Sequence, residues 1–252
     1  MSIEGAGQFE LLQTPEKKED FEIEVKIINL GNPELLINKL EAIGAELEIP
    51  KRRIRDEYFN LHEGSLPEFI ENKEIKLAGI TDFVNLDKIF NFLGFNIVNK
   101  SPSFWTINRT LPPERRTIRI RMDDKKYVWT VKNPRTKGHS HDERTEINVD
   151  INDPKDAQNI LSLLGYEPKL ISEKDRITYS LNDCLVEINY GPMATPWGEI
   201  EGPSKDKIFE TAKILGYGNE DLASMSDGDY YKAQGVKKKQ LKEMTFDKFQ
   251  KQ

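Results

Sequence analysis

The sequence predicts an α+β fold in which amphipathic strands with one charged face alternate with short, capped helices. Stretches such as 21–27 alternate charged and apolar residues, so the two kinds of side chain lie on opposite faces of a strand. Helical stretches begin at an Asx-Pro pair and end at a glycine, which are the usual start and stop signals of a helix. The two patterns together favour strands covered on their apolar side by helices.

Composition limits the function classes. The 252 residues include 43 Asp and Glu against 37 Lys and Arg, which gives a net charge of -6. A protein of this charge is not expected to bind nucleic acid or an anionic membrane as a whole. No apolar run approaches a membrane span, the stretch 1–20 does not resemble a signal peptide, and Cys184 is the only cysteine. We therefore expect a cytoplasmic protein with no membrane contact and no internal disulfide.

One structural unit occurs twice along the chain. Its order is strand, Asx-Pro, helix, glycine, returning strand, and the two copies span 21–59 and 144–179. Asn32 and Asp153 are predicted helix N-caps, with proline following each, while Gly44 and Gly165 are predicted left-handed stops. Weaker echoes at 74–94 and 198–216 extend the pattern. The sequence thus favours duplication of a strand-helix-strand unit.

The charged faces differ in sign from strand to strand. For any single strand, exposure of one face to solvent would explain why that face is charged. Here, however, some strands have a basic face, such as Arg119 and Arg121, while others have an acidic face, such as Glu199 and Glu201. If the sheet closes, both signs meet in an interior that must be paired or occupied, because an unpaired buried charge costs several kcal/mol. A triphosphate with a divalent metal ion would meet that need.

Seven motifs resemble those of one family. Glu22-x-Glu24-x-Lys26 resembles the ExExK signature of the CYTH superfamily, the triphosphate tunnel metalloenzymes, which include class IV adenylyl cyclases, thiamine triphosphatases and inorganic triphosphatases. The other motifs follow in the family's order, over about residues 21–231 with one insertion. They are Asp56-Glu57-Tyr58-Phe59, Ile118-Arg119-Ile120-Arg121, Trp129-Thr130-Val131-Lys132, Arg144-Thr145-Glu146, Lys174-Asp175-Arg176 and Gly198-Glu199-Ile200-Glu201-Gly202.

The resemblance implies an eight-stranded antiparallel closed β-barrel that forms a tunnel, with helices packed outside. Residues 21–232 would be a single CYTH-like domain, preceded by an N-terminal extension, 1–20, and followed by a basic C-terminal tail, 233–252. The tail is expected to be a helix or a frayed end. An inserted segment at about 63–114 interrupts the domain. It could be a lid, an extra βα element on the barrel wall, a contact between two copies in a homodimer, or a packed surface insertion without catalytic role.

The resemblance also implies roles for individual residues. Phosphate binding would fall to Lys26, Arg119, Arg121, Lys132, Arg144 and Arg176. Ligands for one or two Mg²⁺ or Mn²⁺ ions would be Glu22, Glu24, Glu146, Glu199 and Glu201. Lys26 is the candidate catalytic residue, and its pKa is expected to be lowered by neighbouring metal ions and arginines. Attack on phosphorus would then be stabilised mainly by the basic groups and the metal.

The sequence departs from the family pattern at two metal-ligand positions. Asn148 stands where the family usually has an acidic residue, and Asn189 lies where it usually has an aspartate. Glu187 and Asp183 are alternative acidic groups for the second position. Because the implied site has fewer carboxylate ligands, the sequence gives weaker support for a second metal ion than for the first.

Three functions follow from these motifs. The first is metal-dependent hydrolysis of inorganic, nucleoside or thiamine triphosphate, and the second is a class IV type adenylyl cyclase that makes cyclic AMP and pyrophosphate from ATP. The third is a module that binds polyphosphate or nucleotide without catalysis, which the two asparagines favour. The same phosphate-binding residues serve all three functions, so these residues do not discriminate between them.

Overall fold

The structure is a computed structural model that describes residues 21–61, 70–77, 79–109, 116–132, 142–237 and 240–251. Within these ranges, the side chains of residues 21, 22, 70, 71, 142–144 and 249–251 are not described. The predicted α+β class is confirmed, because a large antiparallel sheet and a small sheet are accompanied by short helices.

The strands and helices have the following bounds. The strands are β1 (Phe21–Ile27), β2 (Glu46–Leu61), β3 (Ile70–Lys76), β4 (Asn96–Lys100), β5 (Phe104–Arg109), β6 (Thr117–Asp123), β7 (Lys126–Lys132), β8 (Asp142–Ile151), β9 (Tyr166–Leu181), β10 (Cys184–Tyr190), β11 (Trp197–Gly202), β12 (Leu222–Ala223), β13 (Leu241–Met244) and β14 (Phe249–Lys251). The helices are α1 (Pro33–Ala42), α2 (Phe83–Phe92), α3 (Pro154–Leu163), α4 (Lys205–Ile214) and α5 (Asp227–Ala233). Within the described ranges, no helix has the length and hydrophobicity needed to cross a membrane.

The helix signals that were read from the sequence are confirmed for α1 and α3. The Asn32 side chain accepts a hydrogen bond from the backbone N–H of Glu34 at 3.1 Å, and Asp153 accepts one from Lys155 at 2.9 Å. Gly44 and Gly165, just after the two helices, have φ angles of 79° and 85°. A side chain is strained at such angles, so glycine ends each helix.

The large sheet brings distant parts of the chain together. Neighbouring strands follow the order β10, β11, β1, β8, β7, β6, β2 and β9, and all these pairs are antiparallel. Strand β9 pairs on its other side with β10. The two repeated units lie side by side, since β1 pairs with β8 and β2 with β9. This arrangement agrees with the predicted duplication.

Helices cover the apolar faces of the strands. Val25, Val186 and Ile200 from three adjacent strands are buried with residues of α1 and α4 in one apolar cluster. Because side chains alternate along a strand, the charged residues between these apolar ones face the other side of the sheet. Packing of the apolar face therefore fixes which side chains enter the site.

The insertion forms a small sheet with the strand order β3, β5, β4, covered by α2. Ile89 and Phe90 of α2 belong to the same buried cluster as Trp129 of β7 and Ile160 of α3. Ile80 also forms a bridge to Ile151 at the end of β8. Among the alternatives, the described residues support an extra element packed on the wall of the large sheet.

The C-terminal prediction of a helix or frayed tail is wrong for 241–251. These residues form the hairpin of β13 and β14, and β13 adds to β9 in parallel at Ile171 and Ser172. Lysine-rich sequence masked this strand signal, but Leu241 and Met244 are buried against α5. The hairpin thereby joins the sheet that carries the site.

We predict that Ile89→Ala lowers the free energy of unfolding by about 2–5 kcal/mol, because Ile89 is fully buried between the insertion and the large sheet. Val84→Ala on the same helix is the matched control. Val84 is 68% exposed, so a change within about 0.5 kcal/mol is expected. Urea unfolding measures both. Two separate transitions in the wild-type protein would contradict a core shared by the insertion and the sheet.

Candidate active site

Charged side chains of the large sheet line a cavity of about 410 Å³. Charged residues two apart on one strand both reach the lining, as do Arg119 and Arg121 on β6 and Lys174 and Arg176 on β9. The predicted site residues on its lining are Glu24, Arg119, Arg121, Lys132, Arg176, Glu199 and Glu201. Lys26 and Glu146 join them through ion pairs. Glu22 and Arg144 are backbone partners in β1 and β8, but their side chains lie outside the described part of the structure.

Arg121 is held by a buried carboxylate. Asp56 lies opposite it on β2 and accepts two hydrogen bonds, from Nε at 2.7 Å and from Nη2 at 2.8 Å. Burial alone would raise the pKa of Asp56, but Arg121 and Arg119 hold it well below its ordinary value. A bidentate contact of this kind fixes the plane of the guanidinium group. Asp56 therefore aims Arg121 across the cavity.

Arg176 is the most densely paired cation of the site. Its Nη2 donates to Glu199 at 2.5 Å, its Nε donates to Asn189 at 2.8 Å, and Nη1 forms an ion pair with Glu187. Burial raises the pKa of Glu187 above its ordinary value. Glu199 is buried too, but Lys26, Lys174 and Arg176 lower its pKa. The cluster keeps a charged guanidinium in place within a buried environment.

The expectation of a lowered pKa for Lys26 is wrong in this structure. Burial does lower the pKa, but the carboxylates of Asp227, Glu199 and Glu24 outweigh it and raise the pKa above its ordinary value. The ammonium group forms ion pairs with Glu199 and, at 2.8 Å, with Asp227. A lysine so paired stays protonated, which suits phosphate binding better than proton abstraction.

A second group of ion pairs spans β6, β7 and β8. Lys132 pairs with Glu146, its register partner on β8, and Arg119 approaches the same carboxylate at 3.6 Å. Glu199 is similarly engaged, since it also accepts a hydrogen bond from the indole of Trp197 at 3.1 Å. Glu146 and Glu199 would have to exchange partners in order to bind a metal ion.

Glu24 and Glu201 are the pair best placed for a divalent cation. They are direct register partners on β1 and β11, and both line the cavity. Opposite residues on antiparallel strands have Cβ atoms about 5 Å apart, close enough for both carboxylates to share an ion. The described side chains contain no cluster of three or more acidic, His or Cys ligands. Two carboxylates nonetheless fit Mg²⁺, which is commonly held by one or two together with substrate phosphates.

The two asparagines have protein partners in this structure. Asn148 accepts a hydrogen bond from Thr130 Oγ1 at 2.7 Å, and the Asn189 carbonyl faces Arg176. Of the two alternative acidic groups, Glu187 lies on the cavity lining. Asp183 instead lies in the turn before β10, is 75% exposed and approaches Lys207 at 3.4 Å, so it takes no part in the site.

Several site residues were missed as functional from the sequence. Asp56 and Lys174 lie within recognised motifs, and alternation with Tyr58 and Arg176 could have identified them. Burial, and next to it Arg176, lowers the pKa of Lys174. Asp227 carries no strand signal, because it begins the short helix α5 and enters the site from outside the sheet. Only the folded structure brings it to Lys26 and Lys174.

Residues 104–224 match the family model of the CYTH domain. These residues are thus similar to a CYTH domain. The predicted resemblance is thereby confirmed. The matched segment contains the strands that carry Arg119, Lys132, Arg176 and Glu199. Strand β1, with the ExExK motif, and α5 lie outside the matched CYTH segment but join it in the fold.

Solved structures share the fold of this chain. A Vibrio parahaemolyticus protein, provisionally assigned as an adenylate cyclase, aligns with a TM-score of 0.56 and 14% identity over 85% of this chain and 99% of that one. A conserved hypothetical protein from Pyrococcus furiosus aligns with a TM-score of 0.55 and 21% identity over 83% of this chain and 99% of that one. The PH1012 protein from Pyrococcus horikoshii OT3 aligns with a TM-score of 0.53 and 21% identity over 81% of this chain and 96% of that one. No curated protein sequence matches the chain.

We predict that Asp56→Asn lowers the free energy of unfolding by about 3–5 kcal/mol at neutral pH, because Arg121 is left without its buried carboxylate. Asp150→Asn, a matched change on exposed surface, should alter it by less than about 0.5 kcal/mol. Chemical unfolding of both variants is the measurement. Equal losses would contradict a special role of the Asp56 pair.

The same pair gives a pH dependence of defined sign. The folded-state pKa of Asp56 is lowered, so between the two pKa values the unfolded chain binds the proton more readily. The stabilisation is therefore complete above the unfolded pKa of about 4 and is lost as the pH falls below it toward the folded pKa. We expect the difference between wild type and Asp56→Asn to be constant from about pH 6 to 8 and to shrink below about pH 4. A difference that grew on acidification would have the wrong sign.

Proposed function

We propose that this protein is a divalent-metal-dependent hydrolase of a triphosphate compound, with inorganic, nucleoside or thiamine triphosphate as substrate. One observation carries the proposal: basic side chains from four different strands converge on a single cavity of the sheet. They are Lys26, Arg119, Arg121, Lys132 and Arg176. Several cations around one cavity fit a chain of phosphoryl groups better than a single phosphate.

The enclosing shape is part of the proposal. We infer a closed, eight-stranded tunnel, formed by the strands from β10 to β9. Its support is the continuous run of pairings in that order, together with the pairing of β9 back to β10. Such an enclosure would exclude most water, which strengthens the interaction of each cation with a phosphate oxygen.

Metal dependence follows from the charge balance of the cavity. The basic groups already face carboxylates, namely Asp56, Glu146, Glu187, Glu199 and Asp227, and Glu24 and Glu201 lie nearby. A triphosphate brings several further negative charges into this balanced space. Divalent cations that enter with it would offset them, whereas the protein's cations alone would not.

The residues divide into two groups. Arg119, Arg121, Lys132, Arg144, Arg176 and the protonated Lys26 would bind phosphate oxygens and stabilise the charge that develops during attack by water. Glu24 and Glu201 would hold Mg²⁺ or Mn²⁺, with Glu22, Glu146 and Glu199 as further predicted ligands. When bound, the cation would polarise a phosphoryl oxygen as a Lewis acid. A chemical role for Lys26 beyond binding stays a prediction.

Adenylyl cyclase activity is the second candidate, in keeping with the provisional assignment of the Vibrio parahaemolyticus fold neighbour. Purified protein with Mg²⁺ or Mn²⁺ would be offered inorganic triphosphate, thiamine triphosphate and ATP, and the products quantified. Release of orthophosphate supports the hydrolase. Formation of cyclic AMP and pyrophosphate from ATP would instead support the adenylyl cyclase. Binding of these compounds without turnover would support only a non-catalytic binding module.

We predict that Glu24→Gln and Glu201→Gln each raise the Mg²⁺ concentration needed for half-maximal activity by about tenfold or more, because each removes one of the paired carboxylates. The KM for the triphosphate, measured at saturating Mg²⁺, should change much less. Glu48→Gln on the exposed part of β2 is the control and should behave as wild type. An unchanged Mg²⁺ dependence in both cavity variants would remove these residues from the metal site.

A further inference from the structure

Asp227 bridges two lysines of the cavity. One carboxylate oxygen, Oδ1, lies 2.8 Å from Lys26 Nζ, and the other, Oδ2, lies 3.2 Å from Lys174 Nζ. Both ammonium groups also lie within 6 Å of the ring centre of Trp197, at 5.9 and 5.7 Å. Two oxygens of one anion shared between two ammonium groups is the arrangement that a phosphoryl group would adopt there.

Buried packing holds Asp227 in this position. Tyr230 and Tyr231, on the same helix, pack on Trp197 with ring centres 5.1 and 5.9 Å away. The β13 residues Leu241 and Met244 complete this apolar cluster. Since β13 itself adds to β9 just before Lys174, the helix and the lysine are tied to the same strand. The bridging contact is therefore a built part of the fold.

We propose that Asp227 is a specificity-determining residue that limits how many phosphoryl groups the cavity binds. Its carboxylate takes one donor from each lysine and offsets their charge. Three groups are thereby left to Arg119, Arg121, Lys132, Arg176 and the remaining donors of Lys26, and a fourth group beside Lys174 meets a fixed negative charge. This inference rests on the proposed triphosphate site, and it adds a residue from beyond the matched CYTH segment.

The test compares the affinity for two linear anions, inorganic triphosphate and inorganic tetraphosphate, by titration calorimetry without metal and then with Mg²⁺. In Asp227→Asn, the affinity for tetraphosphate should rise about tenfold more than that for triphosphate, because the negative charge beside the two ammonium groups is removed. Asp229→Asn is the matched control. Asp229 lies on the same helix, where its carboxylate accepts hydrogen bonds from the backbone N–H and the hydroxyl of Ser226, so the ratio of affinities should stay as in wild type.

Lys174→Met gives a second measurement that does not depend on the folding of Asp227→Asn. If Asp227 already occupies Lys174, this variant should change the affinity for triphosphate by less than about threefold. A loss of about tenfold or more would overturn the proposal, because Lys174 would then bind the substrate directly. The double variant Lys174→Met with Asp227→Asn should lose most of the tetraphosphate gain.

The outcomes separate this inference from the proposed function. Wild-type protein that binds neither anion, with or without Mg²⁺, would overturn the triphosphate site and this inference with it. Wild-type binding of triphosphate, combined with an unchanged ratio in Asp227→Asn, would overturn the role of Asp227 alone. Weaker binding of both anions by a folded Asp227→Asn would do the same, since it would make Asp227 a residue that merely positions the lysines.

Discussion

Compensation of charge inside the large sheet is the constraint on which the rest of the structure depends. Lys26 and Arg176 are buried cations and Arg121 is partly buried, and each is matched by a carboxylate within hydrogen-bond distance. Leaving any one of them unmatched would cost several kcal/mol, a large share of a domain's stability. The sheet can therefore present its charged face inward only if acidic and basic strands meet there.

The strand order provides this meeting. Acidic β11 lies beside β1, so that Glu199 faces Lys26, and β8 lies beside β7, so that Glu146 faces Lys132. The same pairing places Glu24 directly opposite Glu201 on the lining of the cavity. Register thus sets some carboxylates opposite lysine and brings two others together in the arrangement proposed for a metal ion.

Local patterns predicted the strands and helices well because helix caps and strand alternation depend on residues that are close together in the sequence. The caps at Asn32 and Asp153 and the alternation in 22–26 follow from sequence spacing alone. The sign of the Lys26 pKa shift could not be read in this way. It depends on Asp227 and Glu199, which lie far along the chain and are brought close only by the fold. The β13 strand was missed for a different reason, since its apolar residues Leu241 and Met244 are separated by the charged pair Lys242 and Glu243.

The site also extends beyond the segment that identifies the family. The matched residues 104–224 supply Arg119, Lys132 and Glu199, yet Lys26 and Asp56 precede the match and Asp227 follows it. These outer residues pair with the inner ones, so the electrostatic balance of the cavity is a property of the whole chain. A change in the residue that faces Lys26 and Lys174 would leave the arginines of the matched segment in place while changing the charge beside them. Under the proposed role of Asp227, the choice of substrate would then depend on α5 as well as on the strands of the matched segment.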